Sequence, residues 1–515
     1  MNVAEVIVST LEKFGMEVAF GMPGMWSLPI YEALSNSKIK HILMRNEQFA
    51  VYASDGFARA SGKIGLCIGT AGQGAVNLAS GLAAPFKDNS PVISITSHVP
   101  TYEQGKGWIE DLDLNSIFSS VTKFYAQIND SFEAYNILCK AYLACLEGCP
   151  GPSCIIIPGD IQKKPSTILN YFPIPKKLIP DSESIDLVIR EIENSKFPLI
   201  LAGRGTILSN SSELLMRFIE LTGIPLVTSM MGRGVIPESH PLCLGPVGRR
   251  GFKEANQAIS NCDLLLVLGC RLSNMTIGKI DLKCKIIQVD VEEKNFSSIS
   301  NIKIKGDVSI FLELIINKIK KIRKNNFLNK SNEESIAYAK AIANSKDAIF
   351  TLDIGQHTIW LLKALKIENP RQLIFSGGMS SMGFSIPAAI GAKIALPNKK
   401  VISVVGDGGF QMSSPELSTI KENNLAIAIC LFNNKSLGLI RQIQNIVYKK
   451  TFGVDFSNPP DYLKLAEAYG INAISVKNPE EVSNILINVK EPILIEIPIS
   501  KEEGIELTKP RILEE

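Results

Sequence analysis

The sequence lacks the features of several protein classes. It has no uninterrupted apolar stretch of membrane-spanning length, so we expect no transmembrane segment. Its net charge is only +3 and both signs are interspersed, which indicates neither nucleic acid nor an anionic membrane as a partner. The first residues show no basic segment followed by an apolar core, so no secretory signal is predicted. These absences predict a cytoplasmic protein.

The ten cysteines also lack the patterns of zinc sites and disulfide frameworks. No pair is spaced Cys-x-x-Cys, and no histidine accompanies the group Cys145, Cys149 and Cys154. Several others lie inside apolar runs that are typical of buried strands. We interpret the cysteines as reduced, mostly buried thiols.

Short strand-like apolar runs alternate with helical patterns along the whole chain. This alternation is typical of doubly wound parallel sheets, and 515 residues suggest three such α/β domains. We predict an N-terminal domain over residues 1–165, a central domain over 184–322, a C-terminal domain over 335–500 and a tail over 501–515. A polar, Lys/Asn-rich connector up to Glu334 separates the last two domains. The predicted strands are Val18–Phe20, Ile42–Met44, Ile64–Gly69, Pro91–Thr96 and Ile155–Ile157; Pro198–Ala202, Pro225–Thr228, Leu264–Leu268 and Ile286–Val291; and Ile349–Asp353, Leu373–Phe375, Val401–Val405, Leu425–Phe432, Ala473–Val476 and Ile493–Ile497.

One stretch of the third domain combines two of these strands with polar residues. Gly406-Asp407-Gly408 follows the first strand, and Asn433-Asn434 ends the second. Carboxyl ends of parallel strands lie side by side at the edge where open α/β sheets bind ligands. Asp407 and Asn434 therefore offer two hard oxygen ligands that suit Mg²⁺ carrying a diphosphate. A Gly-Asp-Gly sequence alone is also compatible with an ordinary tight turn.

The combined pattern resembles the metal-diphosphate motif of thiamine-diphosphate (ThDP) enzymes, and in detail the acetolactate synthase catalytic subunit. The resemblance covers nearly the whole chain. It implies that Asp407, Asn434 and the Ser436 backbone carbonyl bind Mg²⁺. It also places Gly406, Gly408 and Asn433 beside the cofactor.

The resemblance assigns the catalytic carboxylate to the first domain. His41 to Gly62 resembles the segment that carries the glutamate activating ThDP, which implies that Glu47 bonds the aminopyrimidine N1′. On residue type alone, Glu47 is better explained as a helix N-terminal charge, and only the resemblance favours the catalytic role. The glycine-rich turn that contains Gly72 and Gly74 resembles the loop lining the pyrimidine side of the pocket, and Gln73 departs from the commoner proline there.

Two further segments of the third domain resemble cofactor-binding turns. Gln356 and His357 are implied to donate hydrogen bonds to the diphosphate. Ser380 and Met382 lie in a segment that resembles the aminopyrimidine loop, where the Met382 side chain would hold the bent cofactor conformer. A structural histidine and an ordinary core methionine are the alternatives.

The implied activity is decarboxylation of a 2-oxo acid, followed by attack of the enamine on a second carbonyl. In the family this converts two pyruvate to 2-acetolactate and CO₂, in branched-chain amino acid biosynthesis. The substrate positions depart from the family pattern. Met275 stands where an arginine is expected, and the candidate pocket residues are Trp26, Trp108, Leu439, Ile440 and Ile443. These departures leave open a ThDP-dependent 2-oxo acid decarboxylase or a 2-hydroxyacyl lyase that acts on a more apolar substrate.

The resemblance also concerns the central domain and the assembly. Acetolactate synthases bind a structural FAD in the central domain, which points to Gly203, Gly205, Arg271 and Asp290; an empty, purely structural domain is the alternative. The family shares each active site between two subunits. A homodimer or tetramer is therefore implied, and a small regulatory subunit is a further partner.

Overall fold

The computed structural model describes residues 1–278, 280–321 and 335–506, and the chain divides into two compact units. The first unit comprises Met1–Pro175, Ala348–Thr358 and Ile374–Gly504, and the second comprises Lys176–Asp347, Ile359–Leu373 and Ile505–Glu515. The predicted connector up to Glu334 and most of the predicted tail lie outside the described residues.

The first unit contains two six-stranded sheets, and the N-terminal sheet has the strand order β2-β1-β3-β4-β6-β5, all parallel. Its strands are β1 (Val18–Gly21), β2 (Lys40–Leu43), β3 (Gly65–Gly69), β4 (Val92–His98), β5 (Phe124–Gln127) and β6 (Ser153–Pro158). Its helices are α1 (Val3–Lys13), α2 (Leu28–Ser35), α3 (Glu47–Ser61), α4 (Gln73–Asp88), α5 (Leu114–Ser119) and α6 (Ala134–Leu146).

The second unit is built on a central parallel sheet with the strand order β12-β11-β10-β7-β8-β9. Its strands are β7 (Pro198–Ala202), β8 (Leu226–Thr228), β9 (Cys243–Pro246), β10 (Leu264–Leu268), β11 (Lys285–Asp290) and β12 (Ile302–Lys305). Its helices are α7 (Ser182–Asn194), α8 (Arg204–Leu208), α9 (Ser212–Thr222), α10 (Lys253–Asn261), α11 (Val308–Lys318) and α12 (Ala337–Ala343).

The third sheet, which returns to the first unit, has the strand order β14-β13-β15-β16-β18-β17. Its strands are β13 (Ile349–Leu352), β14 (Leu373–Phe375), β15 (Val401–Gly406), β16 (Ile427–Asn433), β17 (Asn472–Ser475) and β18 (Ile493–Pro498). The helices of this part are α13 (Gln356–Ala364), α14 (Ser385–Ala395), α15 (Asp407–Ser413), α16 (Glu416–Glu422), α17 (Gly438–Tyr448), α18 (Tyr462–Ala468) and α19 (Pro479–Ile487).

The predicted fold class, three α/β domains with parallel sheets, is confirmed, whereas three strands were missed. β5, β9 and β12 each lie at the edge of their sheet. β5 and β12 are only partly buried, so their sequences do not need the continuous apolar run that identifies a buried parallel strand. β9 is fully buried, but it ends in Gly245 and Pro246, which are residue types that are rare in strands. β12 reads Ile-Lys-Ile-Lys and alternates accordingly. The residue bounds given to the domains stay predictions.

Helices α3 and α14 join the N-terminal and C-terminal parts of the first unit at very short range. Gly56 faces Ala388, and Gly391 faces Ala53 and Phe57. A Cβ on Gly391 would lie 2.7 Å from both the Ala53 carbonyl carbon and the Phe57 nitrogen, so only glycine fits there. The surrounding buried side chains form one continuous apolar cluster that contains residues of both sheets.

The strand order places the candidate ligand sites. In the third sheet β13 and β15 are neighbours. From β13 the chain goes to β14 on one side of this pair, and from β15 it goes to β16 on the other side, so the direction of strand addition reverses between β13 and β15. The same reversal occurs between β1 and β3 and between β7 and β10. Crevices at the carboxyl ends of such strand pairs are where α/β sheets bind ligands. No described helix is both long enough and apolar enough to cross a membrane.

Candidate active site

Asp407 lies at the reversal point of the third sheet, directly after β15 and at the start of α15. Only 2% of the residue is exposed, and the backbone N–H groups of Gly408 and Ser436 donate to its two carboxylate oxygens at 2.8 and 3.2 Å. Burial raises the pKa of Asp407 to about 6, although these N–H donors oppose the rise. A buried carboxylate of this kind gains most from a bound cation.

Asn434 and Ser436 follow β16 and lie beside Asp407. The Ser436 N–H also donates to Asn434 Oδ1 at 3.1 Å, so oxygens from Asp407 and Asn434 converge on one backbone group. The Ser436 carbonyl accepts from Gly438 and keeps a second lone pair. The described residues hold no group of three or more His, Cys, Asp or Glu side chains suited to a metal. The donor set at Asp407 is instead carboxylate, amide and carbonyl oxygen, which fits Mg²⁺.

His357 and Gln356 follow β13 at the same edge. His357 is 5% exposed, its ring lies parallel to Phe432, and its Nε2 has no hydrogen-bond partner in the described chain. Burial lowers the pKa of His357 to about 3, so the ring is neutral. An orphaned, buried ring nitrogen beside Gly406 fits an absent anionic group such as a diphosphate.

Gln356, which is expected from the sequence to donate to the diphosphate, is engaged within the chain. Its amide group donates to Gln442 Oε1 at 2.8 Å and to the Glu503 carbonyl at 3.2 Å, so both hydrogens are engaged within the chain. Asn433 is engaged similarly, since its amide donates to Glu496 at 2.7 Å. Both residues stay candidates for the cofactor site by position rather than by a free donor.

Residues 376–383 form a loop, called loop 376–383 below, that carries Ser380 and Met382. Ser380 has a left-handed backbone with φ of +55°, and its N–H donates to the Ser376 carbonyl at 3.0 Å. Met382 is half-buried, and its sulfur would lie 3.8 Å from a Cβ on Gly408. The loop therefore brings Met382 to the glycine beside Asp407.

Two buried carboxylates hold this loop at its ends. Asp88, at the end of α4, accepts hydrogen bonds from Gly377 N at 3.1 Å and Gly378 N at 2.7 Å. Asp353, after β13, accepts from Gly383 N and Ser385 N, both at 3.0 Å. Burial raises the pKa of Asp353 to about 6. The backbone of loop 376–383 is thus fixed by charged acceptors.

Arg59 extends this arrangement within the first unit. Its guanidinium donates to Asp55 at 2.7 Å, to Asp88 at 2.9 Å and to the Phe375 carbonyl at 2.8 Å. All three charged side chains are nearly fully buried, so removal of one would leave the others without a charge partner. Sequence reasoning missed Asp88, Asp353 and Arg59, because contacts such as Asp88 with Gly377 span 289 residues.

Glu47 lies at the other half of the candidate site, after β2 and at the start of α3. Asn46 caps the helix by accepting from Gln48 N at 2.8 Å. Glu47 is 3% exposed, and Asn77 donates to its Oε2 at 2.9 Å. A Cβ on Gly74 would lie 2.8 Å from Glu47 Oε1, so the glycine makes room for the carboxylate.

Gly72 belongs to the same turn. Its φ is +60°, and a Cβ there would meet the Glu110 side chain at 2.8 Å. Glu110 itself has a left-handed backbone with φ of +66°. Gly72 and Gly74 therefore both face carboxylate side chains, those of Glu110 and Glu47.

The candidate substrate-pocket residues occupy two places in the first unit. In the first domain Trp26 is half-buried against Gly159, and Trp108 is 45% exposed. In the third domain Leu439, Ile440 and Ile443 lie on α17, a helix without a fully buried residue. Their assignment stays a prediction.

The four residues named for FAD do not form an open cradle. A Cβ on Gly203 would meet Cys270 Cβ at 2.6 Å, and one on Gly205 would meet Gly269 Cα at 2.7 Å, so both glycines serve close backbone packing. Asp290 accepts from Asn295 at 2.8 Å and from Glu292 N at 3.1 Å. Arg271 is exposed. The chain's own packing and hydrogen bonds engage three of the four residues, and the assignment of all four to FAD stays a prediction.

Comparison with known proteins gives matches over most of the chain. Three family models match: the N-terminal TPP binding domain of thiamine pyrophosphate enzymes over residues 1–117, the central domain over 185–315 and the C-terminal TPP binding domain over 353–497. A probable acetolactate synthase large subunit of Methanococcus aeolicus is 37% identical and covers 99% of this chain and 94% of its own. The acetolactate synthase large subunit of Lactococcus lactis is 35% identical, with 98% and 93% covered. An acetolactate synthase of Mycobacterium bovis is 32% identical, with 94% and 85% covered.

Proposed function

Because this chain belongs to the thiamine pyrophosphate enzymes, and among them to the acetolactate synthase large subunits, we propose that it joins two carbonyl compounds after decarboxylating a 2-oxo acid. With pyruvate as both substrates, the products are 2-acetolactate and CO₂. An enzyme with this activity would act in branched-chain amino acid biosynthesis.

Each part of the candidate site has a role in this proposal. Bound ThDP would supply the carbon nucleophile that attacks the 2-oxo acid. Glu47 would exchange a proton with the cofactor ring. Its carboxyl group is buried, as the activating role requires. Asp407, Asn434 and the Ser436 carbonyl would hold Mg²⁺, and neutral His357 would offer its orphaned Nε2 to the diphosphate.

The observation that carries the proposal is the convergence of Asp407 and Asn434 oxygens at Ser436. The test is calorimetric titration of the purified protein with ThDP, with and without Mg²⁺. We expect saturable binding that is lost when Mg²⁺ is chelated. Absence of any heat of binding in the presence of Mg²⁺ would refute the proposal.

Glu47→Gln tests the catalytic assignment separately. The amide has the shape of the carboxyl group but cannot exchange a proton, so product formation should be abolished while the Kd for ThDP changes little. Asn434→Ala is the matched variant, since it should weaken ThDP binding by removing a metal ligand. Normal turnover by Glu47→Gln would contradict the role.

A second candidate function keeps the cofactor and changes the substrate. Ile440 is 47% exposed on α17, Trp26 occupies the first-domain edge, and Met275 is 55% exposed where the family pattern has an arginine. Apolar residues at positions that the family pattern gives to the substrate favour a bulkier, less charged substrate, handled by a decarboxylase or a 2-hydroxyacyl lyase. Product analysis with pyruvate, longer 2-oxo acids and 2-hydroxyacyl thioesters separates the two functions.

The proposed enzyme is a homodimer or tetramer that shares its active sites. The support is exposed apolar surface at both halves of the candidate site: Met25 (60%) and Ile109 (69%) in the first domain, and Tyr448 (60%) and Phe452 (86%) in the third. Exposed apolar side chains at both halves of a site are suited to burial between two subunits. Light scattering of the purified protein gives the mass of the assembly. A second, smaller chain that co-purifies would indicate a regulatory subunit.

The remaining proposals concern FAD and location. FAD would have a structural role in the central domain, and the visible absorbance of the purified protein tests its presence. The cytoplasm is proposed because none of the ten cysteines, all of which lie within the described residues, is in a disulfide bond, and eight of them are buried.

A further inference from the structure

Two amide side chains on α4 form a chain of hydrogen bonds that ends on Glu47. Gln73 Nε2 donates to Asn77 Oδ1 at 2.9 Å, and Asn77 Nδ2 donates to Glu47 Oε2 at 2.9 Å. The two residues are one helical turn apart on the same face of α4, so their side chains meet without distortion. Glu47 is buried, whereas Gln73 is exposed.

The order of donors and acceptors matters because Asn77 can present either end of its amide group. With its oxygen turned toward Glu47, two oxygens would face each other at hydrogen-bond distance. The N–H from Gln73 engages that oxygen and so keeps the amino group of Asn77 directed at the carboxylate. Linked hydrogen bonds also polarise one another, which strengthens the bond to Glu47.

We infer that Asn77 and Gln73 are positioning residues for the catalytic carboxylate: Asn77 fixes the orientation of Glu47, and Gln73 fixes the orientation of Asn77. The inference rests on the proposed function, in which Glu47 must present its carboxyl group to the cofactor. Gly74 leaves room for the other oxygen, Oε1.

Four variants test this order. Asn77→Ala removes the donor to Glu47, Gln73→Leu removes the donor to Asn77, and Gln73→Glu replaces that donor by an acceptor of the same size. The double variant combines Asn77→Ala with Gln73→Leu. The main measurement is the rate of exchange of the ring C2 proton of bound ThDP, followed by NMR in deuterated buffer without substrate. The Kd for ThDP and the unfolding midpoint are measured beside it.

We expect exchange to slow about tenfold or more in Asn77→Ala, since hydrogen bonds to charged groups contribute the most. Gln73→Leu should slow it about threefold, as for a neutral hydrogen bond, and Gln73→Glu should slow it further. Removal of Gln73 should add nothing once Asn77 is gone, because its effect passes through that residue. In the cofactor-free crystal structure of Asn77→Ala, the Glu47 carboxylate should leave its place beside Gly74.

Three results would overturn the inference: wild-type exchange in Asn77→Ala, independent effects of the two substitutions, or an unmoved Glu47. A general loss of folding would instead lower the unfolding midpoint and weaken ThDP binding in all four variants. If wild-type protein binds no ThDP, the proposed function fails. If it binds and exchanges normally while the variants do the same, only the inference about Gln73 and Asn77 fails.

Discussion

Replacing Gly391 by alanine sets two physical effects of opposite sign against each other. Alanine is the better helix former by about 1 kcal/mol, so the substitution would normally stabilise α14. At this position, however, the new Cβ would lie 2.7 Å from the Ala53 carbonyl carbon and from the Phe57 nitrogen, and the Ala53 oxygen is nearer still. Real Cβ atoms essentially never approach other atoms within 3.0 Å.

The obstruction is the backbone of α3, which cannot rotate away as a side chain would. Overpacking of this kind typically costs about 1–3 kcal/mol, and we expect the upper end because two helices must separate. The net result is a loss of about 2 kcal/mol after the gain in helix propensity is subtracted. Separation should also disturb both ends of the proposed site, since Glu47 begins α3 and loop 376–383 precedes α14.

The assay is urea unfolding of wild type, Gly391→Ala and Gly151→Ala. Gly151 is the matched control, because an added Cβ would meet only the Lys123 side chain, at an ordinary 3.5 Å. Gly151→Ala should unfold at or slightly above the wild-type midpoint, and Gly391→Ala clearly below it. A Gly391→Ala variant as stable as the control would refute the close packing of α3 against α14.

Two further predictions concern buried carboxylates. Burial raises the pKa of Glu416 to about 7 despite the N–H that Arg45 donates to it, so the folded state holds a proton that the unfolded state releases from pH 4.5 upward. The wild-type free energy of unfolding should therefore fall relative to that of Glu416→Gln as pH rises from 4.5 to about 7, and the difference should be constant outside that window. A difference in unfolding midpoint that does not change with pH would contradict this prediction. Asp88→Asn weakens the acceptor for loop 376–383 and should raise the Kd for ThDP about tenfold. Asp55→Asn also removes a carboxylate from Arg59, but Asp55 does not contact the loop, so calorimetry should show a smaller rise in the Kd for ThDP. Equal effects of the two substitutions would argue against a role of Asp88 in holding the loop.

The sequence was most informative where strands are buried and polar residues follow them directly. Inner strands such as β15 and β16 need continuous apolar runs, and Asp407 and Asn434 could be placed together because parallel strands align their carboxyl ends. The edge strand β12 has no such requirement, and its alternating pattern was missed. The segment between β15 and β16 was expected to form one helix, but it forms two, α15 and α16.

Side-chain partners at long range could not be predicted in the same way. The bond between Asp88 and Gly378 joins positions 290 residues apart, and no local pattern distinguishes Asp88 from other carboxylates at helix ends. The contact of Asn77 with Glu47 was easier to anticipate, because Asn77 follows the glycine-rich turn that contains Gly72 and Gly74. What was missing was the direction of the Glu47 side chain, which only packing determines.

The two halves of the candidate site are therefore not independent within one chain. Asp88 and Arg59 belong to helices of the N-terminal sheet, yet they fix loop 376–383, which carries Met382 toward Asp407. In the proposed dimer Glu47 acts on the cofactor held by the partner subunit. The first domain would then serve two active sites at once, by activating one cofactor and by shaping the loop that holds the other. A substitution at Asp88 should consequently affect cofactor affinity without affecting activation, and one at Asn77 should do the reverse.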